Sequence, residues 1–209
     1  MAEGLTLDSV AVRQGGDMLV QLDAHIAPGE VLTVMGPSGS GKSTLLAFLT
    51  GNLAPAFQAT GRVVLAGRDI THLPTHERRI GILFQDDLLF PHLSVAGNLG
   101  FGMRPGGSDR RARIDAALEE VGLAGFGPRD PATLSGGQRA RVALMRTLLA
   151  QPSALLLDEP FSRLDAARRA TTRDMVFASA RRHDLPVVMV THDAEDAKSA
   201  GGRTITLGD

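Results

Sequence analysis

The chain has 209 residues, of which 43% are hydrophobic and 22% are charged. This composition is typical of a globular protein and excludes a disordered or fibrous one. The absence of cysteine excludes disulfide bonds, cysteine-ligated zinc and a thiol nucleophile. A formal net charge of −1 gives no overall attraction to nucleic acid, so no nucleic-acid partner is expected. No apolar run approaches the ~20 residues that a membrane-spanning helix needs.

The first third of the chain is predicted to form mainly strands and turns. Alternating or continuous apolar residues bounded by glycine and proline are the basis for this prediction. The expected strands lie at 5–12, 19–26, 30–35, 62–65 and 80–84. A helix is expected at 43–50, where apolar residues share one face and Gly51 ends the pattern.

The rest of the chain begins with helices and then alternates strands with helices. Helices are expected at 109–121, 136–150 and 166–183, and strands at 154–158, 187–191 and 204–207. Strands that alternate with helices predict an α/β fold with a largely parallel sheet. We therefore expect one domain over residues 1–209. Its core would comprise 1–85 and 153–209, and 86–152 would form an inserted helical sub-domain.

A glycine-rich loop follows the strand expected at 30–35. It matches the pattern G-x-x-x-x-G-K-[ST] and comprises Gly36, Pro37, Ser38, Gly39, Ser40, Gly41, Lys42, Ser43 and Thr44. In such a loop, backbone N–H groups and the positive end of the following helix bind phosphate oxygens. Lys42 supplies a charge for the β- and γ-phosphates, and the Ser43 hydroxyl is a suitable ligand for Mg²⁺. The loop predicts a nucleoside triphosphate but does not distinguish a kinase, a GTPase or a motor.

Polar residues follow three of the expected strands, where ligand sites of open α/β sheets lie. Asp158 is predicted to hold Mg²⁺ through water, and Glu159 to orient or deprotonate an attacking water. His192 is a candidate donor to the γ-phosphate or to that water, and Gln85 a neutral candidate ligand for Mg²⁺ or water. Each has a structural alternative: a histidine after a strand is more often structural, and the others are compatible with solvated loop positions.

The segment Ser135-Gly136-Gly137-Gln138 opens the helix expected at 136–150. Ser135 is a good N-cap residue, and the two glycines would leave backbone N–H groups accessible. One interpretation is a simple helix cap. The other is a second phosphate-binding helix end that serves a nucleotide held by another copy of the chain.

Five motifs occur together along the chain: GPSGSGKST at 36–44, Gln85, LSGGQ at 134–138, LLLDEPFSRLD at 155–165 and THD at 191–193. This set resembles the ATP-binding-cassette (ABC) ATPase family over essentially the whole chain. The stretch FQDDLLFPHLSVAGNLGFG is similar to its importer-type branch. The resemblance implies a P-loop NTPase fold, an ABC-type nucleotide-binding domain with a mixed or parallel sheet core and an inserted helical sub-domain. It also implies the cofactors ATP and Mg²⁺.

The resemblance further implies a role for each matching residue. The loop 36–44 would hold the ATP phosphates of one subunit, and Ser135, Gly136, Gly137 and Gln138 would face the γ-phosphate of the other subunit in a head-to-tail homodimer. Asp165 would cross that interface. Glu159 would be the catalytic base and His192 the γ-phosphate sensor. Gln85 would link Mg²⁺ to a membrane permease, which would dock near 85–103 and could recruit a substrate-binding protein.

Two positions depart from the family pattern. Family members usually carry an aromatic residue that stacks on adenine about twenty positions before the phosphate loop, where this chain has Arg13 and Gln14. A guanidinium can stack on a base, so Arg13 is the candidate substitute, with a solvated surface arginine as the alternative. Arg163 stands where alanine is common in the family.

The leading hypothesis is the ATPase subunit of an importer, peripheral to the cytoplasmic face of the inner or plasma membrane. An export or lipoprotein-release ATPase is the first alternative, because ABC domains resemble one another whatever the direction of transport. A non-transport ABC ATPase is the second. It is disfavoured because such proteins usually carry two cassettes or long coiled-coil insertions. The sequence does not identify the transported substrate.

Overall fold

The computed structural model describes residues 4–103 and 109–208, without the side chains of Ala166 and Ala167. The chain divides into two compact units. The first unit comprises Met1–Ile82, Ser153–Glu159 and Phe177–Asp209, and the second comprises Leu83–Pro152 and Pro160–Val176. The sub-domain expected at 86–152 stays a prediction. The observed second unit joins that stretch to residues 160–176.

The described residues form nine strands and six α-helices. The strands are β1 (Leu5–Gln14), β2 (Asp17–Ile26), β3 (Val31–Met35), β4 (Phe57–Leu65), β5 (Arg68–Asp69), β6 (Ile80–Leu83), β7 (Ala154–Asp158), β8 (Val187–Thr191) and β9 (Arg203–Thr206). The helices are α1 (Lys42–Thr50), α2 (Val95–Phe101), α3 (Arg110–Glu120), α4 (Gly136–Leu149), α5 (Ala166–Arg182) and α6 (Ala194–Ala200). Short 3₁₀ helices lie at Thr75–Glu77 and Pro131–Thr133.

A five-stranded sheet brings the ends of β3, β7 and β8 side by side. Its strand order is β6-β7-β8-β3-β9, and the β7–β8, β8–β3 and β3–β9 pairs are parallel. Met35 pairs with Thr191, and Asp158 pairs with Val190. Because these strands are parallel and adjacent, the residues that follow β7, β8 and β3 emerge at the same edge of the sheet. The largely parallel sheet expected from the sequence is therefore present.

A second, four-stranded sheet lies in the first unit with the order β2-β1-β4-β5 and antiparallel pairing. The sequence did not indicate that these strands would form a separate sheet. Its buried face joins α1 and the parallel strands in one hydrophobic core, which includes Leu7, Leu45, Leu156 and Val188. Burial of apolar surface from both sheets is thus the main force that fixes the first unit.

In the second unit, α4 packs against α2 and α3. Asn98 of α2 is fully buried, which requires that its amide be hydrogen-bonded. Its side-chain nitrogen donates to the carbonyls of Phe90, Leu93 and Ser94, and its oxygen accepts from the Phe90 N–H at 2.8 Å. This one side chain therefore fixes the segment that leads into α2.

The observed elements match most of the expected ones to within a few residues, with four exceptions. Helices α2 and α6 and the two-residue strand β5 were not predicted. Strand β4 begins at Phe57 rather than at Arg62, because Gly61 continues the strand at φ 90°. A Cβ atom at Gly61 would lie 2.4 Å from the Ser9 carbonyl oxygen, so glycine permits a close approach of β1 there rather than a turn. Within the described part of the chain, no helix is long and apolar enough to cross a membrane.

Candidate nucleotide-binding site

The glycine-rich loop at 36–44 connects β3 to α1. Gly39 and Gly41 have φ values of 86° and 88°, a region that side chains rarely adopt. Gly41 is the N-cap of α1, and no described side chain accepts a hydrogen bond at this helix end. The first N–H groups of α1 and the positive end of its dipole are consequently directed toward the exposed loop. This is the geometry of an anion-binding helix N-terminus.

Two polar groups of this loop are buried, namely the Lys42 side chain and the Ser40 hydroxyl oxygen. Lys42 is only 7% exposed, and its Nζ donates to the carbonyl oxygens of Gly36 and Pro37, both at 2.7 Å. The Ser40 Oγ is buried and has no hydrogen-bond partner among the described residues. A buried hydroxyl without a partner costs free energy unless a ligand satisfies it. The loop thus offers a buried cation and an unsatisfied hydroxyl beside the helix end.

Two adjacent carboxylates lie where β7 ends. Asp158 is partly buried, and this desolvation raises its pKa; the neighbouring Glu159 carboxylate raises it further, and Lys42 lowers it. Glu159 adopts a left-handed backbone conformation, with φ 46°, and its N–H donates to the Val190 carbonyl at 3.0 Å. For a residue with a side chain this conformation costs ~1–2 kcal/mol. Such strain is typical of functional sites.

His192 contacts Glu159 at the same sheet edge. The His192 Nδ1 lies 3.1 Å from the Glu159 Oε1, and the imidazole is 62% exposed. The flanking residues fix the turn: the Asp193 N–H donates to Thr191 Oγ1, and Asp193 Oδ1 accepts from the Glu195 N–H at the start of α6. The structure therefore brings together Lys42 and the residues that follow β7 and β8.

Arg78 secures the other end of α1 and was not singled out in the sequence. It is 5% exposed, and its guanidinium donates to the carbonyls of Phe48, Leu49, Leu73 and Thr71. Two of these carbonyls belong to the last turn of α1, so Arg78 caps the helix whose opposite end faces the phosphate loop. No short sequence pattern marks Arg78, because its partners in α1, Phe48 and Leu49, lie 30 and 29 positions earlier in the sequence.

Arg13 lies at the exposed end of β1, in the first unit. Its Nη1 donates to the Gly16 carbonyl at 3.1 Å, and it pairs with Met18 across β1 and β2. The next residues of β2 approach the phosphate loop, since a Cβ at Gly41 would lie 2.8 Å from Val20 Cγ2. Arg13 therefore belongs to a strand pair that adjoins the start of α1.

The remaining predicted site residues belong to the second unit. Ser135 and Gln138 form a reciprocal cap, in which Ser135 Oγ accepts from the Gln138 N–H at 3.3 Å and Gln138 Oε1 accepts from the Ser135 N–H at 2.9 Å. Asp165 accepts a hydrogen bond from the Arg168 N–H and forms an ion pair with its guanidinium. Gln85 and Gly136 both line a cavity of about 370 Å³. The first unit therefore contains Arg13, the loop 36–44, Asp158, Glu159 and His192, and the second contains Gln85, the segment 135–138 and Asp165.

The side chains present fit a magnesium nucleotide. Within the first unit, Ser43 and Asp158 are proposed for Mg²⁺, and both offer oxygen ligands, which Mg²⁺ prefers. In the described parts of the chain, no group of three or more His, Cys, Asp or Glu side chains could hold a metal. A single carboxylate is sufficient when the nucleotide phosphates supply the other ligands. Among the described residues the Ser40 hydroxyl has no hydrogen-bond partner and the N-terminus of α1 has no side-chain cap, and both fit the nucleotide phosphates.

Comparison with known proteins gives a consistent result. A family model described as ABC transporter matches residues 19–162. The chain is 52% identical over 181 residues to the uncharacterized ABC transporter ATP-binding protein YnjD of Escherichia coli K12, covering 86% of this chain and 83% of YnjD. It is 48% identical over 208 residues to the thiamine import ATP-binding protein ThiQ of Cereibacter sphaeroides, covering 98% and 88% of the two chains.

A solved structure is also similar. The cbiO1 protein of Clostridium perfringens, part of the ABC transporter complex cbiONQ, superposes with a TM-score of 0.85 at 26% identity, covering 99% of this chain and 85% of that one. The family and the fold class expected from the sequence are therefore confirmed. With a family model that matches more than half of its length and relatives similar along most of both chains, the chain belongs to the ABC transporter family as an ATP-binding, ATP-hydrolysing subunit.

Proposed function

We propose that this chain is the ATPase of an importer and that two copies close over two ATP molecules to drive a separate permease. The observation that carries the proposal is the set formed by the loop 36–44, Glu159 and His192 at one edge of the parallel sheet. The import direction is supported by relatives such as ThiQ, whose name assigns it to thiamine import. The permease would determine which substrate is transported.

The loop 36–44 would bind the ATP phosphates. Backbone N–H groups at the start of α1 and the Lys42 ammonium would neutralise the β- and γ-phosphates. Lys42 can exchange its two carbonyl acceptors for phosphate oxygens without first leaving a solvated position, because it is already buried. Ser43, Asp158 and Gln85 are the proposed Mg²⁺ ligands, and the ion would stabilise negative charge on the phosphates.

Glu159 is the proposed general base. Its strained backbone fixes the carboxylate at the edge of the sheet, where it would accept a proton from the water that attacks the γ-phosphate. His192 lies 3.1 Å from this carboxylate. This distance allows the imidazole to orient Glu159 while its other nitrogen donates toward the γ-phosphate. Glu159 would thus activate the water, and His192 would recognise the phosphate.

The second half of each site would come from the second copy. Ser135, Gly136, Gly137 and Gln138 of that copy would face the γ-phosphate, and Asp165 would lie in the interface between the two chains. ATP would then stabilise the closed dimer, because each nucleotide contacts both chains. Hydrolysis and release of phosphate would remove those contacts and reopen the dimer.

The proposed permease contact is the segment 85–103, at the cytoplasmic face of the membrane. Three large apolar side chains are exposed in or beside this segment: Phe84 at 44%, Leu88 at 56% and Phe101 at 66%. The rings of Phe90 and Phe101 contact each other at a tilt of 48°, with centroids 4.4 Å apart. Several large, exposed apolar side chains within one short stretch of sequence are compatible with a protein interface. They support docking of a partner here.

The experiment that tests this function is the substitution Glu159→Gln, with hydrolysis and ATP binding measured separately. We expect turnover to fall ~10²–10⁴-fold, the usual contribution of a general base, while ATP binding is retained. Glu195→Gln is the matched control, because Glu195 is an exposed carboxylate in the first turn of α6 in the same unit. A near-normal rate for Glu159→Gln would refute the assigned role.

A further inference from the structure

Two arginines contact Asp87 and Leu88 in the short segment 86–88. Asp87 pairs with Arg139 at 3.4 Å, and Arg146 donates to the Leu88 carbonyl at 2.7 Å and to the Asp87 carbonyl at 3.1 Å. Both arginines belong to α4. Leu88 has a left-handed backbone, with φ 45°, a conformation that persists where surrounding contacts impose it. The segment is therefore a fixed part of the second unit.

The loop that follows Pro160 is held from its own helix. Arg169 of α5 donates to the carbonyls of Phe161 and Ser162 at 3.1 and 3.3 Å, and Arg168 pairs with Asp165 at 3.3 Å. Arg163 lies in the same loop, and its guanidinium forms an ion pair with Asp86. This ion pair joins the loop to a segment almost eighty positions earlier in the sequence.

We propose that Arg163 is a positioning residue, which orders the loop 162–165 by its ion pair with Asp86 and so prepares Asp165 for the dimer interface. This inference rests on the proposed function, which places Asp165 between the two copies. It gives a role to the arginine that stands where alanine is common in the family. It also links the dimer-facing loop to the segment proposed to meet the permease.

The arginine contacts of Asp87 and Leu88, which follow Asp86 directly, are the reason that we expect this exposed pair to have an effect. Arg163 and Asp86 are 61% and 51% exposed, and an isolated pair at that exposure contributes little. Networks of charges are the exception, because fewer side chains must be ordered when the pair forms. Asp86 adjoins the held residue Asp87, and both line the same cavity as Arg139 and Arg163. A loop ordered before association also loses less entropy when the dimer forms.

Hydrogen exchange of the nucleotide-free chain tests the ordering directly. The reporters are the N–H groups of Leu164, Arg168 and Arg169, all hydrogen-bonded to acceptors in residues 161–165. We expect Arg163→Ala to speed their exchange about two- to five-fold, and Arg163→Lys to restore most of the protection. In roughly 1 M salt, the unsubstituted chain should exchange at a rate closer to that of Arg163→Ala, because salt screens an ion pair but not apolar packing.

A double-mutant cycle identifies Asp86 as the partner. Asp86→Ala should speed exchange as much as Arg163→Ala, and the double variant should be no faster than either single variant. Arg111→Ala is the control, since Arg111 forms an exposed ion pair with Asp115 on α3 of the same unit and should leave these amides unchanged. Unchanged exchange in Arg163→Ala, or single-variant effects that multiply in the double variant, would overturn the proposal.

The consequence for dimerisation is measured in a Glu159→Gln background by titrating Mg²⁺ and ATP. Adding Arg163→Ala should weaken ATP-driven dimerisation about two- to five-fold, and adding Arg111→Ala should not. Equal dimerisation with and without Arg163 would overturn its role at the interface. If the Glu159→Gln parent itself remained monomeric, the head-to-tail dimer of the proposed function would fail. The exchange measurement would still decide whether Arg163 orders the loop.

Discussion

The N-termini of α1 and α4 are both predicted to face phosphate, but they are built differently. At α1 the N-cap is Gly41, and no described side chain accepts from the first N–H groups. At α4 the N-cap is Ser135, which forms a reciprocal cap with Gln138. The first N–H groups of α1 therefore need a ligand as hydrogen-bond acceptor. At α4 the Ser135 side chain already accepts from one of these N–H groups, that of Gln138.

This difference indicates a division of roles. The end of α1 has a buried lysine beside it and a buried Ser40 hydroxyl without a described partner, so it can bind phosphate from within one chain. At α4, the cap uses the Gln138 N–H and leaves the N–H groups of Gly136 and Gly137 for a ligand. A helix end with fewer available donors is suited to completing a site that another chain has begun.

The largest expected effect on stability comes from filling the glycine at the end of α1. A Cβ at Gly41 would lie 2.8 Å from Val20 Cγ2, whereas a Cβ at Gly39, with nearly the same φ, would meet no described heavy atom within 4 Å. We expect Gly41→Ala to cost about 2–3 kcal/mol and Gly39→Ala about 1 kcal/mol. Urea unfolding followed by circular dichroism measures both. Equal costs would show that packing against β2 does not constrain the loop.

At the start of α4 the expected effect is smaller. Ser135→Ala removes the N-cap and should cost ~1 kcal/mol of unfolding free energy. Gln138→Ala removes the reciprocal bond and should cost less, and the double variant should cost less than the sum because the two bonds form one motif. The same urea unfolding measures all three variants. Strictly additive costs would contradict a cooperative cap.

The raised pKa of Asp158 predicts a pH-dependent stability in metal-free protein. Desolvation first, and then Glu159, hold this pKa above the ordinary value of 3.8. The folded chain therefore binds this proton more tightly than the unfolded chain, and the resulting stability is present below pH ~4 and lost as the pH rises through the folded pKa. Asp158→Asn should thus raise Tm at pH ~7 by about 1–2 °C.

That gain should disappear when the same thermal melts are repeated in acid. Asp17→Asn, at an exposed carboxylate of the same unit, should show neither change. A lower Tm for Asp158→Asn at neutral pH would mean that the ionised carboxylate stabilises the fold, contrary to the predicted direction.

The smallest expected effect concerns the nucleobase. Arg13 stands in place of the aromatic residue expected from the family, and its guanidinium can stack on either purine. We expect comparable turnover constants for ATP and GTP in steady-state assays of the same preparation. A preference of more than about 100-fold, nearly 3 kcal/mol, would contradict the expectation. Arg13→Ala should change the affinity for both nucleotides to a similar extent.

Features written in short, continuous patterns could be predicted from the sequence. The phosphate loop, the acidic end of β7 and the Ser135 cap each lie within a few residues, and the structure places the first two at one sheet edge. Helix α2 was missed because it has seven residues with two glycines, which weakens a helical pattern. Its signal was Ser94, whose Oγ accepts from the Gly97 N–H.

Contacts between distant segments could not be predicted. Arg78 contacts carbonyls up to thirty positions away, and Arg163 reaches Asp86 across most of the second unit's sequence. Neither residue lies in a periodic pattern, and an arginine in a loop is most often solvated. The predicted site roles of Gly136, Gly137 and Asp165 also depend on a second chain, so they stay predictions.

The most direct test of the composite site is the mass of the Glu159→Gln chain with Mg²⁺ and saturating ATP, measured by light scattering. We expect a particle of twice the 22.0 kDa chain mass with ATP and a single chain without it. Adding Lys42→Ala should keep the protein at the single-chain mass, because phosphate binding at α1 is lost. A Glu159→Gln protein that stays at 22.0 kDa with saturating nucleotide would contradict the composite site.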